Sequence, residues 1–364
     1  MPRVLAFGTY NVRKHPRVGI LIDGLRKLGC EVAEINKPLM LSTAERVEIL
    51  KKPWKLFGFG LELLGLWHSI AKHARTWMKT NGKPDAVLVG YMGHFDVLLA
   101  HHVFKGVPIV LDHVIFAGDT AKDRGAQGLK VKLLKRLDRM AINAASLVVL
   151  DTKEHQEMLE PGDASMVVPV GAPDEWYEAG KQAGERSTDI VFYGLYTPLQ
   201  GVPVIVEAAQ ILVSRGITPK FTLIGKGQDY EKVRSISKGM NNITFREWVE
   251  PEELPSVVAS HAISLGIFST TPKGLHVVPN KVYQSMAAGC AVITSGTAPQ
   301  RRVLENGVVF VRPGDPKALA DAIESLVADT EYLTRKQHDA RTAAQRFTSD
   351  VIARDLAQWI SNNK

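Results

Sequence analysis

The sequence is poor in cysteine, and this excludes the small disulfide-rich folds. Its two cysteines, Cys30 and Cys290, each lie beside a predicted strand among small or apolar residues. Two cysteines are too few for the disulfide framework that secreted domains of this kind need. We therefore expect two buried, reduced thiols in a cytoplasmic protein.

Long apolar runs are also missing. No stretch of about 18 charge-free apolar residues occurs, so we expect no membrane-spanning helix. No secretory signal is visible either, because the strand-like segment PRVLAFG already begins at residue 2. The 364 residues, of which 45% are hydrophobic and 23% charged, are instead typical of a globular protein with two domains.

The positive charge is unevenly distributed. Residues 1–172 carry 24 Lys and Arg against 17 Asp and Glu, which accounts for the whole net charge of +7. This positive charge would favour binding to an anionic membrane or an anionic substrate. Charge distributed over the surface to keep the protein soluble explains it equally well. We expect no nucleic acid partner, because the basic residues are not interleaved with exposed aromatic residues in a known binding module.

Short β-branched strands alternate with helical segments along the whole chain, which predicts parallel sheets covered on both faces. The alternation predicts an amino-terminal domain at 1–172 and a carboxyl-terminal domain at 189–347. The Pro-, Gly- and charge-rich segment 173–188 is predicted to be a linker, and the terminal helix 348–364 can pack back on the first domain. The expected fold class is α/β, with two Rossmann-like doubly wound domains facing a cleft.

The segment PNKVYQSMAAG contains a lysine in an unfavourable place. Asn280 is the expected N-cap, so Lys281 would lie in the first helical turn and oppose the helix dipole. An anion bound at that terminus would reverse the sign of this interaction, and phosphate is the usual ligand there. The alternative is a lysine that bends away into water.

Two loops nearby could also contact a ligand. Gly225, Lys226 and Gly227 form a strand-to-helix turn, but the turn lacks the third glycine of the dinucleotide fingerprint. The loop 269–276 follows an apolar strand, so Lys273 could join Lys281 in binding a diphosphate. In the same loop, His276 could hydrogen-bond to a neutral polar ligand.

These segments resemble a known family. YG…P…GV…EAA, LIGKGQ, ITFREWVEPEELP, AISLGIF and PNKVYQSMAAGCAVIT follow one another as in the carboxyl-terminal domain of GT-B glycosyltransferases of the GT4-type, or group 1, family. The segments RVLAF, GLRKLGCEV and PIVLDHV of the first half agree. The resemblance covers nearly the whole chain and is strongest at 189–313. It implies the GT-B fold and a retaining transferase that uses a nucleotide-diphosphate sugar.

The resemblance also implies roles for residues. Gly194 and the helix from Asn280 would face the donor diphosphate, Trp248 would lie near the base, and Gln284 would accept a hydrogen bond from the ribose. His113 and His276 would face the transferred sugar, which makes them the catalytic candidates.

The chain departs from the family at four positions. Leu195 and Gln200 stand where the family commonly has basic residues, and His276 and Gln284 stand where it has glutamates. We therefore expect Lys281 to replace diphosphate-binding charge that is lost elsewhere.

The acceptor side is less clearly marked. Apolar residues cover more than one face of the segment 51–77, which suggests either shallow membrane contact or a helix buried on two sides. The residues that could contact an acceptor are Arg13, His15 and Arg17 in one loop, and Asp119, Asp123 and Arg124 in another.

The sequence thus predicts a glycosyltransferase that modifies a glycan or lipid-linked acceptor for the cell envelope, at the cytoplasmic membrane face. We expect no cofactor, and no metal-ligand spacing is evident. Two alternatives stay open: a GT-B sugar-nucleotide epimerase or hydrolase, and a non-catalytic nucleotide-sugar binding protein.

Overall fold

The structure of the protein is a computed structural model that describes residues 1–13, 15–39, 53–123 and 125–363. Arg124 and the start of the apolar segment, residues 51–52, lie outside these ranges.

The chain divides into two units of similar size. Unit 1 contains Met1–Asp151, His155–Val168 and Ala353–Lys364, and unit 2 contains Thr152–Glu154 and Pro169–Ile352. The terminal helix therefore contributes most of its residues to unit 1.

Each unit is built on one parallel sheet. In unit 1 the strands are β1 (Arg3–Gly8), β2 (Glu31–Asn36), β3 (Ala86–Val89), β4 (Ile109–Asp112), β5 (Leu147–Leu150) and β6 (Ser165–Val167). In unit 2 they are β7 (Ser187–Tyr193), β8 (Phe221–Ile224), β9 (Ile243–Arg246), β10 (His261–Leu265), β11 (Ala291–Ser295) and β12 (Val309–Val311). The strand orders are β2-β1-β3-β4-β5-β6 and β12-β11-β10-β7-β8-β9. Two doubly wound α/β sheets are thus confirmed.

The strand order reverses between β1 and β3 in the first sheet and between β7 and β10 in the second. Ligands of open parallel sheets bind outside the carboxyl ends of the strands at such points. The loops that follow these four strands are therefore the places to look for a site.

Helices connect the strands. They are α1 (Arg17–Lys27), α2 (Pro53–Asn81), α3 (Asp96–Val103), α4 (Ala117–Asp123), α5 (Leu129–Asn143), α6 (Lys153–Gln156), α7 (Asp174–Gln182), α8 (Val202–Ser214), α9 (Tyr230–Ile236), α10 (Leu254–Ala259), α11 (Pro272–His276), α12 (Asn280–Ala287), α13 (Ala298–Leu304), α14 (Pro316–Ala328), α15 (Thr330–Ala344) and α16 (Ser349–Asn362). Among the described residues, no helix is long and apolar enough to cross a membrane.

Every residue of β3, β4, β5, β10 and β11 is buried, because helices cover both faces of the sheets. In unit 2, Ile190, Leu223 and Ile263 pack with Ile205 of α8 and Leu319 of α14. Both cysteines are buried thiols that form no disulfide bond in the described part of the chain, as predicted.

The predicted linker 173–188 is not an extended segment. It contains α7, whose Trp176 is buried and stacks on Tyr193 with ring centroids 5.5 Å apart. The strand β7 begins inside the same segment, at Ser187. The Pro- and charge-rich composition that suggested a linker instead marks the start of a helix that packs on unit 2.

A buried ion pair connects the start of one helix to the ends of two strands in unit 1. The Arg17 side chain, only 3% exposed, donates from Nε to Asp112 Oδ1 at 2.6 Å and from one terminal nitrogen to the Val168 carbonyl at 2.9 Å. Burial raises the pKa of the Asp112 carboxyl, and the neighbouring Arg17 guanidinium opposes that shift. The pair joins the start of α1 to the ends of β4 and β6.

Replacing Arg17 should therefore destabilise unit 1. We expect Arg17→Met to lower the free energy of unfolding by about 3–5 kcal/mol, since it leaves the Asp112 carboxylate buried without its partner. The measurement is urea unfolding at neutral pH. Arg17→Met combined with Asp112→Asn should recover part of the loss, because no uncompensated charge is left. A single variant as stable as the wild type would contradict this role.

Candidate functional site

The loops at the carboxyl edge of the second sheet are held together by contacts that only glycine allows. Gly194 follows β7 with φ +141° and Gly225 follows β8 with φ +120°. A Cβ at Gly225 would lie 2.0 Å from the Gly194 carbonyl oxygen, and one at Gly227 would lie 2.7 Å from the Tyr196 nitrogen. The two loops thus pack backbone against backbone, which fixes the shape of this edge.

The Lys281 side chain points into this edge and not into water. It is only 6% exposed. Its Nζ donates to Gln200 Oε1 at 2.5 Å and lies 3.7 Å from the centroid of the Phe192 ring. A Cβ at Gly194 would lie 2.9 Å from the same Nζ, so glycine leaves room for the ammonium. The alternative of a solvent-exposed lysine is wrong.

The ammonium of Lys281 has no carboxylate partner among the described residues. Burial therefore lowers the pKa of Lys281 well below its ordinary value. A desolvated cation that only an amide and an aromatic ring contact costs free energy in the empty protein. An anion beside it, at the N-terminus of α12, would remove this cost.

The first turn of α12 is anchored from the sheet. The Tyr193 hydroxyl donates to the Lys281 carbonyl at 3.0 Å and lies 3.3 Å from Gln284 Oε1. The oxygen that was predicted to bind ribose therefore already contacts Tyr193. Asn280 is the first residue of the helix rather than its N-cap, since Pro279 takes the cap position and Asn280 is exposed.

The predicted loop 269–276 contains the short helix α11. Thr271 caps it by accepting a hydrogen bond at Oγ1 from the Gly274 nitrogen at 3.2 Å. Lys273 is half-buried in its first turn. His276 ends the helix, is exposed, and accepts a bond from Thr152 Oγ1 at its carbonyl, at 3.1 Å.

The ends of β8 and β9 carry an ion pair and an exposed aromatic ring. Lys226 is exposed and pairs with Glu247 at 3.1 Å. Trp248 is 68% exposed, and its ring nitrogen donates to Glu250 at 3.0 Å. An exposed indole beside a strand end offers a flat surface for a planar ligand such as a base.

In unit 1, His113 follows β4 and is buried. Its ring contacts His94, with centroids 4.9 Å apart, and Phe116, with centroids 4.7 Å apart. Its Nε2 has no hydrogen-bond partner among the described residues. Burial first, and His94 second, lower the pKa of His113 to about 3. The ring is therefore neutral at physiological pH and could donate or accept one hydrogen bond.

The neighbours of His113 were not apparent from the sequence. His94 Nε2 lies 2.9 Å from Asp138 Oδ1, and the same carboxylate accepts bonds from the Ala117 and Gly118 nitrogens at the start of α4. His94, His113 and Asp138 each bring one potential ligand atom within 4.8 Å of the others, so they could hold a metal ion. The only sequence signal was the position of His94 after β3, at the switch point.

The candidate acceptor residues after β1 have different environments. Arg13 is exposed. His15 stacks on Tyr91 with ring centroids 4.0 Å apart. Arg17 is not the exposed cation that was expected, because its guanidinium is buried against Asp112. It supports the loop instead of extending from it.

The second predicted acceptor segment is a helix and not a loop. Asp119 lies in the first turn of α4 and pairs with Lys135 at 3.4 Å. Asp123 ends this helix.

Comparisons with known proteins agree with this geometry. Residues 187–329 match the sequence profile of the family described as "Glycosyl transferases group 1". Spore coat protein SA of Bacillus subtilis is 21% identical over 211 residues, which are 52% of this chain and 55% of that protein. The chain thus spans about half the length of this curated relative.

Solved structures match over the full length. Sucrose-phosphate synthase of Thermosynechococcus elongatus aligns with a TM-score of 0.70 and 13% identity, over 100% of this chain and 99% of that chain. HepE of Anabaena, in complex with UDP and glucose, aligns with a TM-score of 0.66 and 15% identity over the whole of both chains. The profile match thus covers a segment of unit 2, and the two parallel sheets together with the structural matches show that the whole chain has the GT-B fold.

Proposed function

We propose that the protein is a glycosyltransferase that uses a UDP-sugar, whose diphosphate binds at the N-terminus of α12 beside Lys281. The observation that carries the proposal is the buried Lys281 ammonium, which has no carboxylate among the described residues. Such a charge is costly unless an anion compensates for it. The base is proposed from HepE, a protein of the same fold that was solved with UDP-glucose.

The same geometry suits the chemistry of transfer. When the bond between the anomeric carbon and the phosphate oxygen breaks, negative charge grows on the leaving diphosphate. Lys281 and the free N–H groups at the start of α12 are held in place by Tyr193 and Gln200 before the reaction. Donors that are already oriented stabilise developing charge without reorganisation.

Gln200 supports the idea that Lys281 replaces lost family charges. It occupies a position where the family commonly has a basic residue. Its amide oxygen accepts a hydrogen bond from Lys281 Nζ at 2.5 Å. A basic residue there would repel Lys281. A single lysine reaching the site from α12 is therefore compatible with glutamine at position 200.

The rest of the proposal concerns the acceptor. We propose a glycan or lipid-linked acceptor of the cell envelope, bound by unit 1 at the cytoplasmic membrane face, and transfer with retention. We propose His113 as a sugar-binding residue of unit 1, since its neutral ring can hydrogen-bond to a hydroxyl group. The basic composition of residues 1–172 favours a phosphate-bearing acceptor.

Lys281 should lower the free energy of unfolding of the protein without nucleotide, and raise it when UDP is bound. Since its folded-state pKa lies below that of the unfolded chain, folding opposes its protonation. This cost is largest at low pH and shrinks as pH rises from the folded-state pKa towards the ordinary lysine value of about 10.4. Without nucleotide, we therefore expect Lys281→Met to melt at a higher temperature than the wild type, with a difference that narrows as the pH rises towards the ordinary lysine pKa.

The same variant should lose its response to UDP. UDP at about 100 times its dissociation constant adds roughly 2.7 kcal/mol to wild-type stability, which is a shift of several degrees. Lys220→Met, which alters an exposed lysine of unit 2, is the matched control and should keep the full shift. If no nucleoside diphosphate stabilises the wild type, the proposed donor site is wrong.

Binding of UDP should also take up a proton. The diphosphate raises the pKa of Lys281, since the charged form then gains a partner, and this shift draws protons from the solvent. Titration calorimetry at about pH 8, where phosphate groups are fully ionised, should give a binding enthalpy that varies with the ionisation enthalpy of the buffer. The slope should show a net uptake of protons for the wild type and for Lys220→Met.

Two results would separate this proposal from its alternatives. UDP binding with a slope of zero would show that Lys281 is charged before the ligand arrives. UDP binding without turnover of any UDP-sugar would favour a binding protein, whereas turnover that needs no acceptor would favour an epimerase or hydrolase.

A further inference from the structure

Three helices of unit 1 lie side by side on one face of the first sheet. Ile70 of α2, Val97 of α3 and Ala141 of α5 belong to the same buried cluster as the strand residues Phe7 and Leu111. The helix α3 follows β3, whereas α2 and α5 each precede a parallel strand. All three helices therefore begin at the carboxyl edge of the sheet.

Two hydrogen bonds, one buried and one partly buried, align these helices with each other. Trp67 Nε1 of α2 donates to Asp96 Oδ1 of α3 at 2.9 Å. His94, just before α3, contacts Asp138 of α5 at 2.9 Å. The residues immediately before these contacts on each helix therefore lie on a common surface.

That surface is apolar and exposed. We name it the apolar rim, and its members are Leu61 (56% exposed), Leu64 (59%), Phe95 (37%), Leu129 (72%) and Leu133 (58%). Leu64 is one turn before Trp67, Phe95 adjoins Asp96, and Leu133 is just over one turn before Asp138. Large apolar side chains that share one exposed surface mark an interaction site, whereas single exposed apolar residues are common on any protein.

Basic residues are interspersed with the rim on α5. At 100° per residue, Leu129, Lys132, Leu133 and Arg136 fall within an arc of about 100° on the helix circumference. Lys132 and Arg136 are exposed, and the acidic residue of α5, Asp138, is buried. Leucine with lysine and arginine on one exposed face is typical of helices that lie in the interface of an anionic membrane.

We propose that the apolar rim is a docking surface for an anionic lipid bilayer. The leucines and Phe95 enter the boundary between headgroups and acyl chains, while Lys132 and Arg136 contact lipid phosphates. A second copy of the chain fits less well, since two such basic faces would repel each other. The inference extends the proposed lipid-linked acceptor, because docking would hold unit 1 where such an acceptor resides.

Flotation with vesicles tests the surface directly. The full chain should float with vesicles of phosphatidylcholine and phosphatidylglycerol, and much less with phosphatidylcholine alone. We expect Leu129→Ser with Leu133→Ser to weaken binding about tenfold or more, since each leucine loses its transfer into the interface. Lys132→Glu with Arg136→Glu should weaken it similarly and reduce its salt dependence.

The matched control is Leu28→Ser with Val213→Ser. These residues are 36% and 41% exposed and lie outside the rim, so binding should be unchanged. Equal binding of the rim variants and the wild type, or no binding of the wild type to anionic vesicles, would overturn the proposal. So would light scattering that shows a wild-type dimer which the leucine variant loses, because the rim would then join two copies.

The UDP stabilisation assay separates this test from the donor proposal. Rim variants that keep the UDP shift are folded, so a loss of vesicle binding can be assigned to the surface. A wild type that floats but shows no UDP shift would refute the donor site and leave the docking surface intact.

Discussion

The buried ammonium of Lys281 is the interaction around which the carboxyl edge of unit 2 is arranged. Its Nζ lies between the Gln200 amide and the Phe192 ring, and the missing side chain of Gly194 leaves it room. A neutral amide and an aromatic face can tolerate a cation but do not neutralise it. An anion next to Lys281 would therefore lower the free-energy cost of burying this cation.

Lys281 stays buried, despite the free-energy cost of desolvating its ammonium, because the surrounding loops pack closely against each other. Gly225 packs against the Gly194 carbonyl and Gly227 against Tyr196, so the loops after β7 and β8 support each other without intervening side chains. Tyr193 then fixes the first turn of α12 through the Lys281 carbonyl. A loop that could relax would let the lysine turn out to solvent, and the site would lose its preorganisation.

Unit 1 uses its edge differently. Several of its polar side chains pair with each other: Arg17 with Asp112, His94 with Asp138, and Trp67 with Asp96. These contacts order the ends of strands and helices. Among the described residues, Nε2 of His113 is buried without a hydrogen-bond partner, as are Nη1 of Arg17 and Oδ2 of Asp112. The same contacts bring Leu64, Phe95 and Leu133 to one surface, so the interior network and the exposed rim have a common origin.

The sequence by itself determined the fold class, because strands such as IVLD and LVVL are apolar on both faces and alternate with helices, which only a covered parallel sheet accommodates. It also pointed to Lys281, since a lysine in a first helical turn is locally unfavourable. It misjudged the segment 173–188, where composition suggested a linker but the burial of Trp176 stabilises a helix.

Only the tertiary structure decided which groups meet. Arg17 and Asp112, or His94 and Asp138, are far apart along the chain, and no local pattern signals that folding will pair them. Likewise, the sequence could not tell whether Lys281 faces solvent or Gln200. The spacing of apolar residues shows which face of a single helix or strand is buried. Contacts between strand ends depend instead on the order of the strands in the whole sheet.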